Sequence, residues 1–249
     1  MKSEDMTKIE EFLKKAESIV VLTGAGISAE SGVPTFRGED GLWKNYRAEE
    51  LATPYAFEKN PSLVWEWYNW RRELIAPLKP NDGHLAIAQL ERLFEDFLLI
   101  TQNIDGIHQQ AGSKKMLELH GNIWKVRCTR EGRVFELKDT PLKDIPPRCD
   151  CGALLRPHVV WFGESLEKDI MDKSVYAIER CDLFFSVGTS AVVQPAASFA
   201  LMAKQRGAFV VEVNLDPTPI SNSVDISLLG KAGEILPEIV DLAKKLKKN

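Results

Sequence analysis

Four short apolar runs punctuate the chain, at Ser18–Thr23, Phe97–Thr101, Asp182–Val187 and Ala208–Asn214. They are rich in Val, Ile, Leu and Phe, as expected of strands covered on both faces. Strands of that kind belong to parallel sheets with helices above and below. Helical patterns precede all four, at Thr7–Ala16, His84–Phe94, Lys168–Glu179 and Ala196–Gln205. The alternation predicts an open, doubly wound α/β sheet. One uncharged stretch, Leu183–Ala203, matches a bilayer span in length. Its Ser186, Gly188, Thr189, Ser190, Gln194, Pro195 and Ser198 make it a poor membrane helix. A strand, a glycine turn and a helix account for it better.

Two regions interrupt the alternation. Residues 38–80 hold four of the six tryptophans (Trp43, Trp65, Trp67 and Trp70) and read as loop plus helices. Residues 121–157 are polar and Pro-rich and carry Cys128, Cys149 and Cys151, which suggests a small inserted module. Residues 1–37, 81–120 and 158–249 then make up the sheet domain.

Composition narrows the classes. With 249 residues, 44% hydrophobic and 27% charged, the chain has ample material for a core, and disorder is excluded. A formal charge of −4 with no long basic block disfavours nucleic acid as a partner. The Lys-rich end, from Lys244, suits the last turn of a helix. The first residues lack an apolar core of the signal-peptide type, so a cytoplasmic protein without membrane attachment is expected. In that setting, clustered cysteines point to a metal before a disulfide framework.

Candidate chemistry sits at strand ends. The first strand runs into Gly24-Ala25-Gly26-Ile27-Ser28-Ala29, a G-x-G-x-x-A turn of the kind that lets backbone N–H groups approach a pyrophosphate. A tight strand–helix turn explains the same residues. The Gly- and Pro-punctuated loop that follows, Gly32–Gly38, disfavours a standard dehydrogenase, which places an acidic residue on a second strand. A ribose contact falls instead to Asn214 or Asp216, with Gly188-Thr189-Ser190 at another strand end. The amides and carboxylate of Gln102-Asn103-Ile104-Asp105 suit a carboxamide, or a helix-capping turn. Of the histidines, His84 suits a first helical turn, His108 a helix surface, and His158 packing. His120 precedes a glycine that permits close approach. Residue type alone does not choose a base among them.

Taken in order, Gly24–Gly38, Thr101–Asp105, Leu119–Gly121, the cysteine module, Val159–Glu164, Val187–Ser190 and Val213–Asp216 resemble the sirtuins over nearly the whole chain. The resemblance implies a Rossmann-type doubly wound domain and a small zinc-ribbon-like module, with the site in the cleft between them. It implies NAD as a consumed co-substrate and acylated lysine side chains of proteins as substrates. Nicotinamide, free lysine and an acyl-ADP-ribose are the products. It places Gly24, Ala25, Gly26, Ser28 and Ala29 at the pyrophosphate and Phe36 and Arg37 over the nicotinamide ribose. Gln102, Asn103 and Asp105 surround the ribose and carboxamide, and Gly188, Thr189, Ser190, Asn214 and Asp216 face the adenosine half. Ala232 matches a late adenine contact, and Thr35, Trp43, Ile104 and Leu215 complete the cofactor set. His120 takes the general-base position. Val160, Trp161, Phe162 and Gly163 are to receive the peptide as an added strand.

Two features depart from the common pattern. Cys128 is followed three residues later by Glu131, and the second pair is contracted to Cys149-Asp150-Cys151. Three thiolates with Glu131 or water as fourth ligand suit zinc, and a lapsed site, with the module held by packing or a disulfide, is the alternative. Tyr68 and Arg71, at i and i+3 on one helix face, resemble the acyl-pocket pair of sirtuins that remove succinyl and malonyl groups. Removal of acidic acyl groups is therefore expected, with deacetylation retained. Protein ADP-ribosylation from the same pocket is the competing activity.

Overall fold

The structure, a computed structural model, describes residues 3–34, 42–43 and 46–247. In chain order the first half holds α1 (Ser3–Lys15), β1 (Ser18–Thr23), α2 (Ala25–Ala29), the two-residue strands β2 (Leu42–Trp43) and β3 (Tyr46–Arg47), α3 (Ala48–Leu51), α4 (Pro54–Lys59), α5 (Pro61–Ile75), α6 (Asp82–Leu93), β4 (Asp96–Thr101), α7 (Ile107–Ala111) and β5 (Met116–Glu118). The second half holds β6 (Gly121–Cys128), β7 (Val134–Glu136), β8 (Leu155–Val159), α8 (Lys168–Ile178), β9 (Leu183–Val187), α9 (Phe199–Gln205), β10 (Phe209–Asn214), β11 (Ile226–Leu229) and α10 (Ala232–Lys247).

Six strands form one sheet in the order β11-β10-β9-β1-β4-β5, and every pairing is parallel. This is the doubly wound order, with the strand sequence reversing between β1 and β9. The four apolar runs supply its four central strands. The edge strands β5 and β11 are short and were not legible. The uncharged stretch resolves into β9, a turn and α9. Among the described residues no helix is long and apolar enough to cross a membrane.

Each face of the sheet is buried under its own helices. Ile9 and Leu13 of α1, Ile87 and Leu90 of α6, and Leu236 and Ile239 of α10 share one core with Ile19, Val21, Phe185 and Val211 of the sheet. Ile178 and α9 residues Phe199 and Ala203 cover Val20, Leu22, Phe184 and Val210 on the other. Full burial of each such large apolar side chain stabilises by about 1.5–3 kcal/mol, so a one-residue slip that turned these faces over would be prohibitive.

The two interruptions, separate in the sequence, share one core. Trp65, Trp67 and Tyr68 of α5 pack with Ile123, Val126 and Leu155 of the three-stranded antiparallel sheet β7-β6-β8. Polar groups lock the same contact. Trp65 Nε1 donates to the Leu155 carbonyl at 2.7 Å, and Arg72 donates through Nε and Nη2 to that of Ile123 at 2.9 and 2.6 Å. The small sheet also runs on to Val159, two residues past the expected boundary at 157. Helix α5 thus braces the small sheet from inside the cleft, at the carboxyl ends of β1, β4 and β9.

Candidate active site

The crevice opens where the strand order reverses, because neighbouring helices there leave the sheet in opposite directions. Thr23 of β1 stands in register with Thr101 of β4 and with Val187 of β9. The three loops that follow these strands therefore meet. Gly24 donates its N–H to the Val187 carbonyl at 3.0 Å, and Gly26 donates to that of Gly188 at 2.8 Å. A Cβ on Gly24 would lie 2.8 Å from the Gly188 oxygen, and one on Gly188, at φ +59°, 2.4 Å from the Ile27 nitrogen. The glycines are thus required by the approach of two loops to each other. This corrects the expectation that the N–H groups of Gly24 and Gly26 point at a pyrophosphate, since both already have partners.

Beside them the amides and hydroxyls form a connected set. Asn103 donates through Nδ2 to the Gly24 carbonyl and to Ser28 Oγ, both at 3.0 Å. With both amide hydrogens used, its carbonyl oxygen is the group left to meet a ligand's O–H or N–H. Gln102 donates to Thr189 Oγ1 at 3.0 Å. Asp105 accepts from the Ile107 N–H at 2.8 Å and from the Ser28 hydroxyl, and its burial raises its carboxyl pKa against those bonds. Ala25, Ser28, Asn103, Ile104, Asp105 and the buried Arg71 line a cavity of about 20 Å³, room for one water. The polar groups that suit a carboxamide are assembled there.

Two histidines lie behind this set, and His84 stands in the first turn of α6 as expected. His108, expected on a helix surface, is 1% exposed. Thr23 Oγ1 donates to Thr101 Oγ1, so the His108 Nε2–H, at 3.0 Å, is the donor to Thr23. His84 Nε2 lies 3.3 Å from Ser28 Oγ, and the two imidazoles are 4.7 Å apart. Burial pushes His84 down to about 4 and His108 well below its usual value, with His84 adding to the latter effect. Both are neutral and carry Ser28 and Thr23 from below. Sequence offered one sign of this: a histidine on an apolar helix face is a buried one.

His120 ends the loop after β5, facing β4's end. Its Nδ1 lies 3.0 Å from the Gln102 carbonyl, which only accepts, so the proton sits on Nδ1 and the Nε2 lone pair is free. Burial lowers its pKa, opposed by that hydrogen bond, and the ring is neutral at pH 7. A neutral imidazole of fixed tautomer is a ready proton acceptor.

The substrate-side residues meet it from the small lobe. Val160 donates its N–H to the His120 carbonyl at 2.9 Å, Trp161 to Glu164 at 2.9 Å and Phe162 to the Ala52 carbonyl at 2.9 Å. An added peptide strand cannot draw on these three N–H groups, which leaves the carbonyls of the segment to pair with it, beside the exposed Phe162 side chain. Tyr68 Oη accepts from Trp161 Nε1 at 2.9 Å, leaving its own O–H to donate. Tyr68 and Arg71 are both buried and close enough to influence each other's ionisation. Arg71 also lies over the Trp67 ring and feels Asp105.

On the far side, Thr189 is buried and Ser190, Leu215 and Asp216 are exposed. Asn214 donates to the Asp216 carbonyl at 3.0 Å. Ala232 is buried, and its N–H is taken by Glu30 at 2.7 Å, with that of Gly233 at 3.1 Å. Glu30, which no sequence signal marked, caps α10 beside the crevice. Thr35, Phe36 and Arg37 lie outside the described residues, as does the side chain of Trp43. Cys128, Cys149 and Cys151 gather with Glu131 at the far end of the small lobe. A cavity of about 600 Å³ lies beside β5 and not in the crevice. In its wall Lys125 pairs with Glu118 and Arg156 with Glu164, both at 2.6 Å.

Comparison with known proteins agrees with this geometry. The model of the Sir2 family matches residues 24–195. An NAD-dependent protein deacylase of Aquifex aeolicus is 54% identical over 92% of this chain and 96% of its own length. NAD-dependent protein deacylase 1 of Archaeoglobus fulgidus is 51% identical over 96% and 98%. Among solved structures, a Sir2 homolog–NAD complex superposes with a TM-score of 0.91 at 50% identity, covering 97% of this chain and 94% of that one. A Sir2 complex with a deacetylated p53 peptide and 3′-O-acetyl ADP ribose gives 0.84 at 33%, covering 95% and 97%.

Proposed function

Because this chain belongs to the Sir2 family and is an NAD-dependent protein deacylase, we propose that His120 is its general base and that Tyr68 and Arg71 read the acyl group. The observation that carries the first assignment is the bond from His120 Nδ1–H to the Gln102 carbonyl, which fixes a neutral ring with Nε2 bare. NAD, when bound, supplies a ribose whose bond to nicotinamide can be broken. The crevice residues fit it by the chemistry of their groups: Asn103 and Asp105 offer acceptor oxygens beside the apolar Ile104 and Val33, and the loops at Gly24–Gly26 and Gly188–Ser190 close the strand ends. Asn214 and Asp216 stand on the neighbouring strand end for the adenosine half. His120 then takes a proton from a ribose hydroxyl as the acyl group passes over.

The substrate is an acylated lysine on a protein, entering between the two lobes along Trp161–Gly163. A fixed cation and a phenol O–H, both buried, suit an acyl group ending in a carboxylate, such as succinyl or malonyl. Acetyl, being smaller, still fits. The modest negative charge favours protein over nucleic acid as partner. The four cysteines form no disulfide, which suits the reducing cytoplasm. His120→Ala tests the base assignment: deacylation should fall by about 10²–10⁴-fold. Unchanged turnover would overturn it.

A further inference from the structure

We infer that Glu131 is the fourth ligand of a zinc site whose other three ligands are Cys128, Cys149 and Cys151, so that the small lobe is tied by three thiolates and one carboxylate. The four ligand atoms lie within 4.8 Å of one another, and no ion is needed to gather them. Tetrahedral zinc, at about 2.3 Å from sulfur and 2.1 Å from oxygen, requires ligand atoms roughly 3.6–3.8 Å apart. Cys128 Sγ stands 3.5 Å from Cys151 Sγ, and Cys149 Sγ stands 3.9 Å from Glu131 Oε2. Both distances lie close to the requirement.

The backbone builds two matching turns around this point. Gly132 donates to the Cys128 carbonyl at 3.0 Å, and Gly152 to that of Cys149 at 2.8 Å. Both glycines are left-handed, at φ +69° and +82°. In the first turn the Glu131 N–H donates to Cys128 Sγ at 3.4 Å. In the second, the N–H groups of Cys151 and Ala153 donate to the sulfurs of Cys149 and Cys151. Every sulfur therefore receives a backbone N–H. Glu131 occupies the position three residues after Cys128, and its longer side chain brings oxygen to the place a second thiol of that turn would fill.

Charge points the same way. Three thiolates, one carboxylate and a divalent ion leave two negative charges, and two arginines flank the cluster. Arg133 Nη2 is 3.4 Å from Cys149 Sγ and its Nε 3.7 Å from Glu131 Oε2, while Arg130 donates to the Cys151 carbonyl at 2.9 Å. Closed sites with four protein ligands are the rule for structural zinc, and Glu131 leaves no place for water.

Protein purified without added metal should carry about one equivalent of zinc by elemental analysis. After exchange for cobalt(II), Glu131→Cys should raise the thiolate-to-metal charge-transfer absorption by about a third, four thiolates replacing three, and move the d–d bands to longer wavelength. Glu131→Ala should weaken cobalt binding at least roughly tenfold in chelator competition. Far-UV circular dichroism reports folding. If Glu131→Ala does not fold, the Glu131→Cys spectrum alone decides. Less than roughly a tenth of an equivalent in the parent overturns the site. A Glu131→Ala protein with the parent's affinity and spectrum, or a Glu131→Cys protein with the parent's spectrum, overturns the carboxylate ligand.

Discussion

Replacing Arg71 by Met should separate succinyl-lysine from acetyl-lysine as substrates. The guanidinium is buried, and that burial pulls its pKa below the usual arginine range while Tyr68 and Asp105 oppose the shift. A buried cation gains most from an arriving carboxylate, because its desolvation has already been incurred in folding. Hydrogen bonds to charged groups contribute about 1.5–3 kcal/mol each, so kcat/KM on a succinyl-lysine peptide should fall roughly 10- to 150-fold. Tyr68→Phe removes one O–H donor and should cost about tenfold, the lower end of that range. Met keeps most of the side chain's apolar volume above the Trp67 ring. Asp105 loses a cationic neighbour in Arg71→Met, so some loss on acetyl-lysine is expected too, and the ratio of the two kcat/KM values is the diagnostic. The assay is deacylated peptide formed against time by mass spectrometry, at saturating NAD. Equal losses on both peptides, or no loss on succinyl-lysine, would refute the pair as a carboxylate reader.

The other expectations follow from the same geometry. Trp161→Phe removes the N–H that orients Tyr68 Oη and should lower succinyl turnover more than acetyl turnover; parallel effects would mean that the contact is only packing. Burial holds His84 at about 4 when folded, whereas the unfolded chain takes up its proton near 6.5. Stability should therefore fall as pH drops from 6.5 towards 4, by about 3 kcal/mol from His84, with His108 adding in the same direction and Asp105, whose pKa is raised, opposing it. A Tm flat over that range, or an undiminished slope in His84→Gln, would contradict the buried neutral pair. Glu30→Ala uncaps the N-terminus of α10, where one carboxylate accepts two N–H groups; the loss should be about 1–2 kcal/mol in denaturant unfolding, and no change in the midpoint would show the cap to be idle.

The central strands were legible because burial on both faces leaves unbroken apolar runs, and Ser18–Thr23 is found with its ends unmoved. The edge strands Met116–Glu118 and Ile226–Leu229 are too short to show such a run. The loops of the crevice were legible as positions but not as bonds. Gly24 and Gly26 suggest a phosphate turn, yet what demands glycine there is Gly188, distant in sequence and adjacent in space. His108 read as exposed because its partner Thr23 comes from another strand, a contact that no local periodicity reveals. The union of α5 with the small sheet was hidden for the same reason. Its contacts join residues such as Trp65 and Leu155, between which α6, β4, α7 and β5 of the other lobe intervene.

The central claim is acyl transfer to NAD-derived ribose with His120 as base, and single-enzyme stoichiometry tests it most directly. Nicotinamide and deacylated peptide are measured together from an acetyl-lysine peptide and NAD, for the parent and for His120→Ala, from pH 5 to 9. The account predicts one nicotinamide per lysine freed, none without the acylated peptide, and an acid limb lying below pH 6.5 because burial lowers the His120 pKa. It predicts loss of both products in His120→Ala. Nicotinamide released without acylated peptide, or ADP-ribose transferred to protein in place of a freed lysine, would contradict it.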